Sequence, residues 1–360
     1  MTTAATLPVP PQHRHDARRE CEPEVPLAEP VLEQEPQDQH AGEPDEAKQP
    51  LAPWRKLHDP RTGCRHEYQE DCRKHTAIVP MMVGRGGPSG QLEHPRTIGV
   101  HLMPLADAVD SPRPSVVVHI DERGRIEAIS LVHTIAEIVS AIGDGPALVA
   151  VDAPLRITNE HGRRTIDELL AWLDVPVFPI SRARVTQVWG ASRGEELAAA
   201  LADRPQLHLT EAVPDLVLRL LAWQELGEDH RANLQHFRTV WLGLRPQPYR
   251  PKGPGRAHPG AMASAVRLLA TALDLGGWAP ADAPDDWQAI TDAAIIDAVL
   301  CAITAGRVLA GHGAILSPAD GAPCAIPTVP LLMERIEVNV ERMRHDGQTV
   351  RIIARPGVAV

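Results

Sequence analysis

Four carboxylates stand where regular structure begins or ends. Asp152 closes the apolar run "ALVAVD", Glu211 closes "QLHLTE", and Asp292 and Asp297 lie in the opening turns of the apolar helical pattern "DAAIIDAVLCAITAGRVLA". A lone carboxylate at the tip of an apolar strand is costly, so it calls for a partner, a metal or a catalytic task. In a parallel α/β sheet the carboxyl ends of the central strands form the ligand-binding edge. Acids brought there from distant positions suit a hard divalent cation, Mg²⁺ or Mn²⁺, which takes oxygen ligands. The matching chemistry is phosphodiester hydrolysis, with the metal activating water. Each acid also has a structural alternative. Asp292 could favour the positive end of its helix, Asp297 could face solvent, Glu211 could bond only free amides of the next helix, and Asp152 could pair with Arg163 or Arg164.

The elements that must position these acids are legible as patterns. "TIGVHLM" (97–103), "SVVVHID" (115–121) and "RIEAISLV" (125–132) read as three strands, the last two joined as a hairpin at Glu122-Arg123-Gly124. "TIAEIVSAI" has apolar residues at helical spacing behind a capping box, Thr134 as N-cap and Glu137 three residues on. "ALVAVD" then suits a strand buried on both faces, giving β-β-β-α-β. Further helices are predicted around 163–173, 195–201, from Pro214, over 261–273 and over 292–310, with a strand at "QLHLTE". The tail "RIEVNVERMRHDGQTVRIIA" alternates on both sides of Asp346-Gly347 and predicts a terminal β-hairpin.

The totals bound what surrounds this core. Residues 1–50 hold eleven Asp/Glu and four Lys/Arg, so of the net charge of −11 only −4 falls on the other 310 residues. That balance excludes a global basic field of the kind that drives non-specific nucleic-acid binding. Ten prolines fall in the first 55 residues, among few apolar ones, which predicts a disordered acidic tail over 1–60 that could at most contact a protein partner. Residues 61–96 read as a partly ordered linker. Cys64, His66, Cys72 and His75 lie within it; they are zinc-competent, but their spacing matches no common finger. "GRGGPSG" (84–90) lacks the GK[ST] ending of a phosphate loop and reads as a connector. Five scattered cysteines argue against a disulfide framework. With no signal-like or membrane-length apolar run, the expectation is a cytoplasmic, soluble chain without a membrane partner.

The motifs "VAVDAPL", "RRTID", "VFPIS", "TEAVP", "YRPKGPGR", "TDAAIIDAVLCAITA" and "DGAPCAIP" follow one another in the chain. In that order they resemble domain-of-unknown-function family 429, regarded as ribonuclease H-like nucleases, over about Thr97 to Pro330. The resemblance implies a mixed five-stranded sheet with a β-β-β-α-β core. It also implies that Asp152, Glu211 and Asp297 are the acids of the site, that Arg164 and Asp167 form an Arg-x-x-Asp pair, and that Lys252 and Arg256 form a basic loop for phosphates. For Arg164 and Asp167 the structural alternative is an ion pair on one helix face; for Lys252 and Arg256 it is a solvated Pro/Gly loop. One position departs from the family. Its members usually carry Asp at the fourth position of a "GVDLA"-like first strand, where "IGVHLMPL" has His101. A neutral imidazole brings no negative charge and suits Zn²⁺ or Mn²⁺ better than Mg²⁺. His101 is then a ligand of an altered site, a general base, the mark of a degenerate site, or a satisfied core histidine. Asp107 and Asp110 lie beyond the strand and do not replace the missing acid.

The expectation is a ribonuclease H-like α/β domain over 97–330, followed by a hairpin extension over 331–360. Its leading function is a metal-dependent phosphodiesterase acting on nucleic acid or a nucleotide, with Asp152, Asp297, Glu211 and Asp292 near the metal and His101 lining the site. The alternative is a catalytically degenerate relative that binds a ligand or protein partner. A third reading, actin-like nucleotide binding, wants a Gly-rich hairpin between the first two strands, and "MPLADAVDSPRPS" has none.

Overall fold

The computed structural model describes residues 95–103, 113–226, 234–244, 247–251, 259–282 and 284–354. The expected acidic tail, the Cys/His cluster at 64–75, the connector at 84–90, Asp107, Asp110, Lys252 and Arg256 lie outside the described residues.

Eight strands form one mixed sheet in the order β3-β2-β1-β4-β5-β7-β6-β8. They are β1 (Arg96–His101), β2 (Ser115–Ile120), β3 (Ile126–Val132), β4 (Ala147–Asp152), β5 (Leu207–Glu211), β6 (Gly313–Pro318), β7 (Cys324–Pro327) and β8 (Val350–Ala354). Nine helices accompany them among the described residues: α1 (Ile135–Ile142), α2 (Thr165–Trp172), α3 (Arg182–Trp189), α4 (Arg193–Ala200), α5 (Pro214–Glu225), α6 (Leu234–Gly243), α7 (Pro259–Ala272), α8 (Asp286–Leu309) and α9 (Pro330–His345). The fold is α/β. β1, β2 and β3 pair antiparallel, and α1 carries the chain across to β4, which runs parallel to β1. The capping box is present: the Glu137 backbone N–H donates to Thr134, and the Glu137 carboxylate accepts from the Thr134 N–H.

Two relationships position the site. β1 and β4 are in parallel register, so that His101 lies beside Asp152 at the carboxyl ends of both strands. Across β1 runs α8, and its contact is backbone against backbone. A Cβ on Gly99 would lie 1.9 Å from the Ala298 carbonyl oxygen and 2.3 Å from the Ala302 amide nitrogen. Glycine in β1 and alanine at 294, 298 and 302 on α8 therefore set the distance between helix and sheet, and this brings Asp297 down to the end of β1. α8 is long and apolar enough by composition to cross a bilayer, yet 89% of its apolar window is buried against this fold, as in a core helix.

The C-terminus corrects the hairpin expectation. Residues 330–345 form a helix, and only Val350–Ala354 is a strand, pairing antiparallel with β6. Ile336, Val338 and Val340 do alternate, but the buried set is Leu332, Met333, Ile336, Val340 and Met343, which is helical spacing, and Val338 is exposed. Pro330 at the first helical position starts the helix. The extension is thus part of the same core and sheet, and the expected five strands become eight.

Candidate functional site

Three donor side chains converge at the carboxyl ends of β1 and β4. His101 Nδ1 lies 3.1 Å from Asp152 Oδ2 and 3.6 Å from Asp297 Oδ2. One ligand atom from each of the three lies within 4.8 Å of the others. Asp297 is 1% exposed, whereas Asp152 keeps 27% of its side-chain surface and opens the cluster to solvent. Asp297 does not face water, because α8 turns it inward against β1.

A second tier holds Asp297. The Tyr249 hydroxyl donates to Asp297 Oδ1 at 2.5 Å, while Arg250 donates from Nε to Oδ2 at 2.8 Å and from Nη2 to Oδ1 at 2.5 Å. Arg250 Nη1 also donates to Asp215 Oδ1 at 2.9 Å, joining the start of α5 to the cluster. These contacts set the protonation of the group. Burial would raise the Asp297 pKa, but the Arg250 charge and its hydrogen bonds outweigh it and hold the carboxyl below the usual range. Burial would lower the His101 pKa; the Asp152 hydrogen bond and the charges of Asp297 and Asp152 reverse this and raise it. Asp152 is raised, by burial first and also by the Asp297 charge, against the pull of His101.

The donor set fits a small divalent cation. Ligands about 2.0–2.2 Å from a metal stand roughly 3 Å apart when adjacent, and the imidazole and carboxylate atoms are spaced on that scale. An imidazole with two carboxylates suits Mn²⁺ or Zn²⁺ better than Mg²⁺. With His101 neutral, Asp152, Asp297 and Asp215 against Arg250 leave two negative charges, which one divalent cation balances. The Tyr249 and Arg250 bonds to Asp297 are the outer contacts that orient a ligating carboxylate. A cation on His101 Nδ1 would displace the proton now shared with Asp152.

The other expected site residues do different work. Glu211 is beside Val151 in register, yet its Oε1 accepts from Arg164 Nη1 at 2.8 Å and from the Leu155 amide at 2.9 Å. Arg164 also grips Asp167, Nε to Oδ2 at 3.2 Å and Nη2 to Oδ1 at 2.9 Å, and Asp167 Oδ2 accepts the Ile180 amide at 3.2 Å. All three side chains are buried. This Glu211–Arg164–Asp167 network braces the loop that follows Asp152, and it takes the arginine that could have paired with Asp152. Asp292 is not at its helix start, because α8 begins at Asp286 with Asp285 as N-cap. Its oxygens accept from Gln288 Nε2 at 3.0 Å and from the Ala281 amide at 3.2 Å, pinning the preceding loop. Tyr249, Arg250 and Asp215 were missed. Tyr249 and Arg250 open the motif "YRPKGPGR", but an aromatic residue in a polar, proline-rich loop reads as surface.

No curated protein and no solved structure matches the chain. The family described as "Protein of unknown function (DUF429)" matches residues 109–321. That interval is more than half of the chain and includes Asp152, Tyr249, Arg250 and Asp297, while β1 and His101 precede it. The chain belongs to the DUF429 family.

Proposed function

We propose that the protein is a metal-dependent phosphodiesterase whose site is the His101–Asp152–Asp297 cluster. The observation that carries this reading is the convergence of those three donors, from β1, β4 and α8, within 4.8 Å. The strand order β3-β2-β1-β4-β5, antiparallel in its first three members, supports it, since this is the arrangement expected of a ribonuclease H-like core.

A bound divalent cation would supply a nucleophilic water at neutral pH and charge neutralisation at the phosphorus. Asp152 is the solvent-open member of the cluster; its Oδ1 has no hydrogen-bond partner among the described residues and can take the proton from the attacking water. Without the cation, the contact between His101 Nδ1 and Asp152 Oδ2 holds the two side chains together as neighbouring ligands. Arg250 donates three hydrogen bonds to described residues, from Nε, Nη1 and Nη2. A guanidinium has five N–H groups, so two are not taken by described residues and are offered to a phosphoryl oxygen. Calorimetric titration of the full chain with Mn²⁺, Zn²⁺ and Mg²⁺, beside Asp152→Ala, tests the reading, followed by hydrolysis of bis(p-nitrophenyl) phosphate. Absence of metal binding by the wild type sinks it.

A second reading is favoured by one observation: both oxygens of Asp297 are already engaged by Arg250 and Tyr249. On that reading Arg250 supplies the positive charge a metal would bring, and the site binds an anionic ligand without cleaving it. His101→Asp separates the two. Mg²⁺-dependent cleavage gained by the variant from an inactive wild type marks a site that has lost its chemistry.

A further inference from the structure

The loop after Asp152 carries α3 on its outer side. The Arg182 and Ala183 amides donate to the carbonyls of Asn159 and Glu160, and the Asn159 side chain donates to the Ile180 carbonyl. Ile157, Ile180 and Val185 form a small core of their own beneath the helix. α4 is tied to the other side of the site, where Arg193 Nη1 donates to the Met103 carbonyl, two residues beyond His101. α3 therefore stands on the same sheet edge as the metal cluster.

The outward face of this unit is aromatic and basic. Phe178 is 42% exposed, its ring 5.6 Å from that of Trp189, and the Arg184 guanidinium lies over it at 4.1 Å. Trp189 packs against that small core, whereas Phe178 is not part of it, and Arg184 has no carboxylate partner among the described residues. Immediately before Phe178, Pro176 and Val177 line a cleft of about 540 Å³. The same cleft is lined by Arg163, Arg219 and Arg250, so it runs from the aromatic rim to the arginine that holds Asp297. Arg163 is exposed and has no carboxylate partner among the described residues.

We propose that this cleft and its rim bind a single-stranded nucleic acid, with a base stacked on the Phe178–Arg184 tier and backbone phosphates against Arg163 and Arg250. The proposal rests on the phosphodiesterase reading of the cluster and names its substrate. Stacking requires an unpaired base, because a duplex keeps its base faces covered; every base has such a face, so the contact is tolerant of sequence. Asp174 and Asp215 also line the cleft but are paired with Arg335 and Arg250, and Arg219 is buried against the Asp174 carbonyl. Arg163 and Arg250 are therefore the cations offered to phosphates in a near-neutral body.

Fluorescence anisotropy of the full chain with a labelled 12-nucleotide poly(dT) and poly(U), and with a duplex of equal length, tests the proposal in EDTA, where no cleavage occurs. Single strands bind more tightly than the duplex; Phe178→Ala and Arg184→Ala each weaken single-strand binding by about 5- to 100-fold, and Arg163→Ala weakens it and flattens its salt dependence. Phe178→Trp keeps binding, which separates lost stacking from a disturbed fold. Equal affinity for duplex and single strand, or unchanged binding by both Phe178→Ala and Arg184→Ala, overturns the proposal. Mn²⁺ titration of the same proteins in EDTA-free buffer distinguishes the two failures: metal binding without single-strand binding removes this inference alone, and single-strand binding without metal binding removes the phosphodiesterase reading alone.

Discussion

Arg250 grips Asp297 by both carboxylate oxygens, Nε to Oδ2 at 2.8 Å and Nη2 to Oδ1 at 2.5 Å, while its third nitrogen reaches Asp215 at 2.9 Å. A guanidinium in that position does two opposing things. It satisfies a carboxylate that is 1% exposed, and it places positive charge beside the atoms a divalent cation would use. Arg250→Gln should therefore lower stability and raise metal affinity together. The stability loss is about 2–4 kcal/mol, under the full figure for a broken buried pair because Arg250 is 39% exposed. On the proposed phosphodiesterase reading, Mn²⁺ affinity rises by about tenfold as a like charge is removed, while turnover falls. Chemical denaturation and calorimetry on one sample read both; metal affinity that falls with stability would mean that the orienting role of Arg250 outweighs its charge.

Gly99 fixes the height of Asp297 above the sheet. Its missing Cβ would sit 1.9 Å from the Ala298 carbonyl and 2.3 Å from the Ala302 amide, both backbone atoms of α8 that no side-chain rotation can move. Gly99→Ala must push helix and strand apart. The expected loss is about 3 kcal/mol, at the upper end for overpacking, because backbone must shift. Metal binding should weaken more than stability alone explains, since Asp297 sits one residue before Ala298. A denaturation midpoint at the wild-type value would show that α8 does not rest on β1 this closely.

Glu211 tests whether a strand-end acid is a ligand or a brace. It is buried against Arg164, which also holds Asp167. Arg164→Met strands two buried carboxylates and should cost about 3–5 kcal/mol. Glu211→Gln keeps shape and one acceptor, so it should leave Mn²⁺ affinity within about threefold of wild type, whereas Asp152→Asn should lower it at least about tenfold. Equal losses in the two variants would return Glu211 to the ligand set.

Much of this was legible in the sequence, and the reason is local. β1 to β5 and α1 are encoded by short apolar runs, a capping box and turn residues, signals that survive without tertiary context. Asp152 was readable because a carboxylate ending "ALVAVD" is conspicuous, and Asp297 because an acid interrupts an apolar helix. What the sequence could not show is which acids share a partner. Glu211 and Asp152 end neighbouring strands, yet Arg164 pairs with one and leaves the other to His101, a choice made by side-chain reach across the sheet. Arg250 and Tyr249 were hidden because a loop carries no periodicity to betray burial. α9 was misread because Ile336, Val338 and Val340 satisfy a period of two as well as part of a period of 3.6, and the deciding residues, Leu332, Met333 and Met343, lie at the margins of that window.

Away from the site, two histidines predict how stability depends on pH. His119 on β2 donates from Nε2 to the Ala141 carbonyl at 2.9 Å, and burial lowers its pKa; burial also lowers that of His208 on β5. The folded state thus prefers both rings neutral. Above the unfolded value near 6.5 neither state binds the proton and the histidines contribute no slope. As pH falls below about 6.5 the unfolded chain takes up protons that the folded chain refuses, so stability declines until pH passes the lowered folded pKa values, and then levels. Because the raised pKa of His101 acts in the opposite sense over the same range, the effect is read as a difference, with the contribution of His119 and His208 lowering urea midpoints between pH 8 and pH 5. His119→Gln retains an amide donor for Ala141 without a titrating group, and combined with His208→Asn it should flatten part of that decline. A double variant with the wild-type slope would place the acid sensitivity elsewhere in the chain.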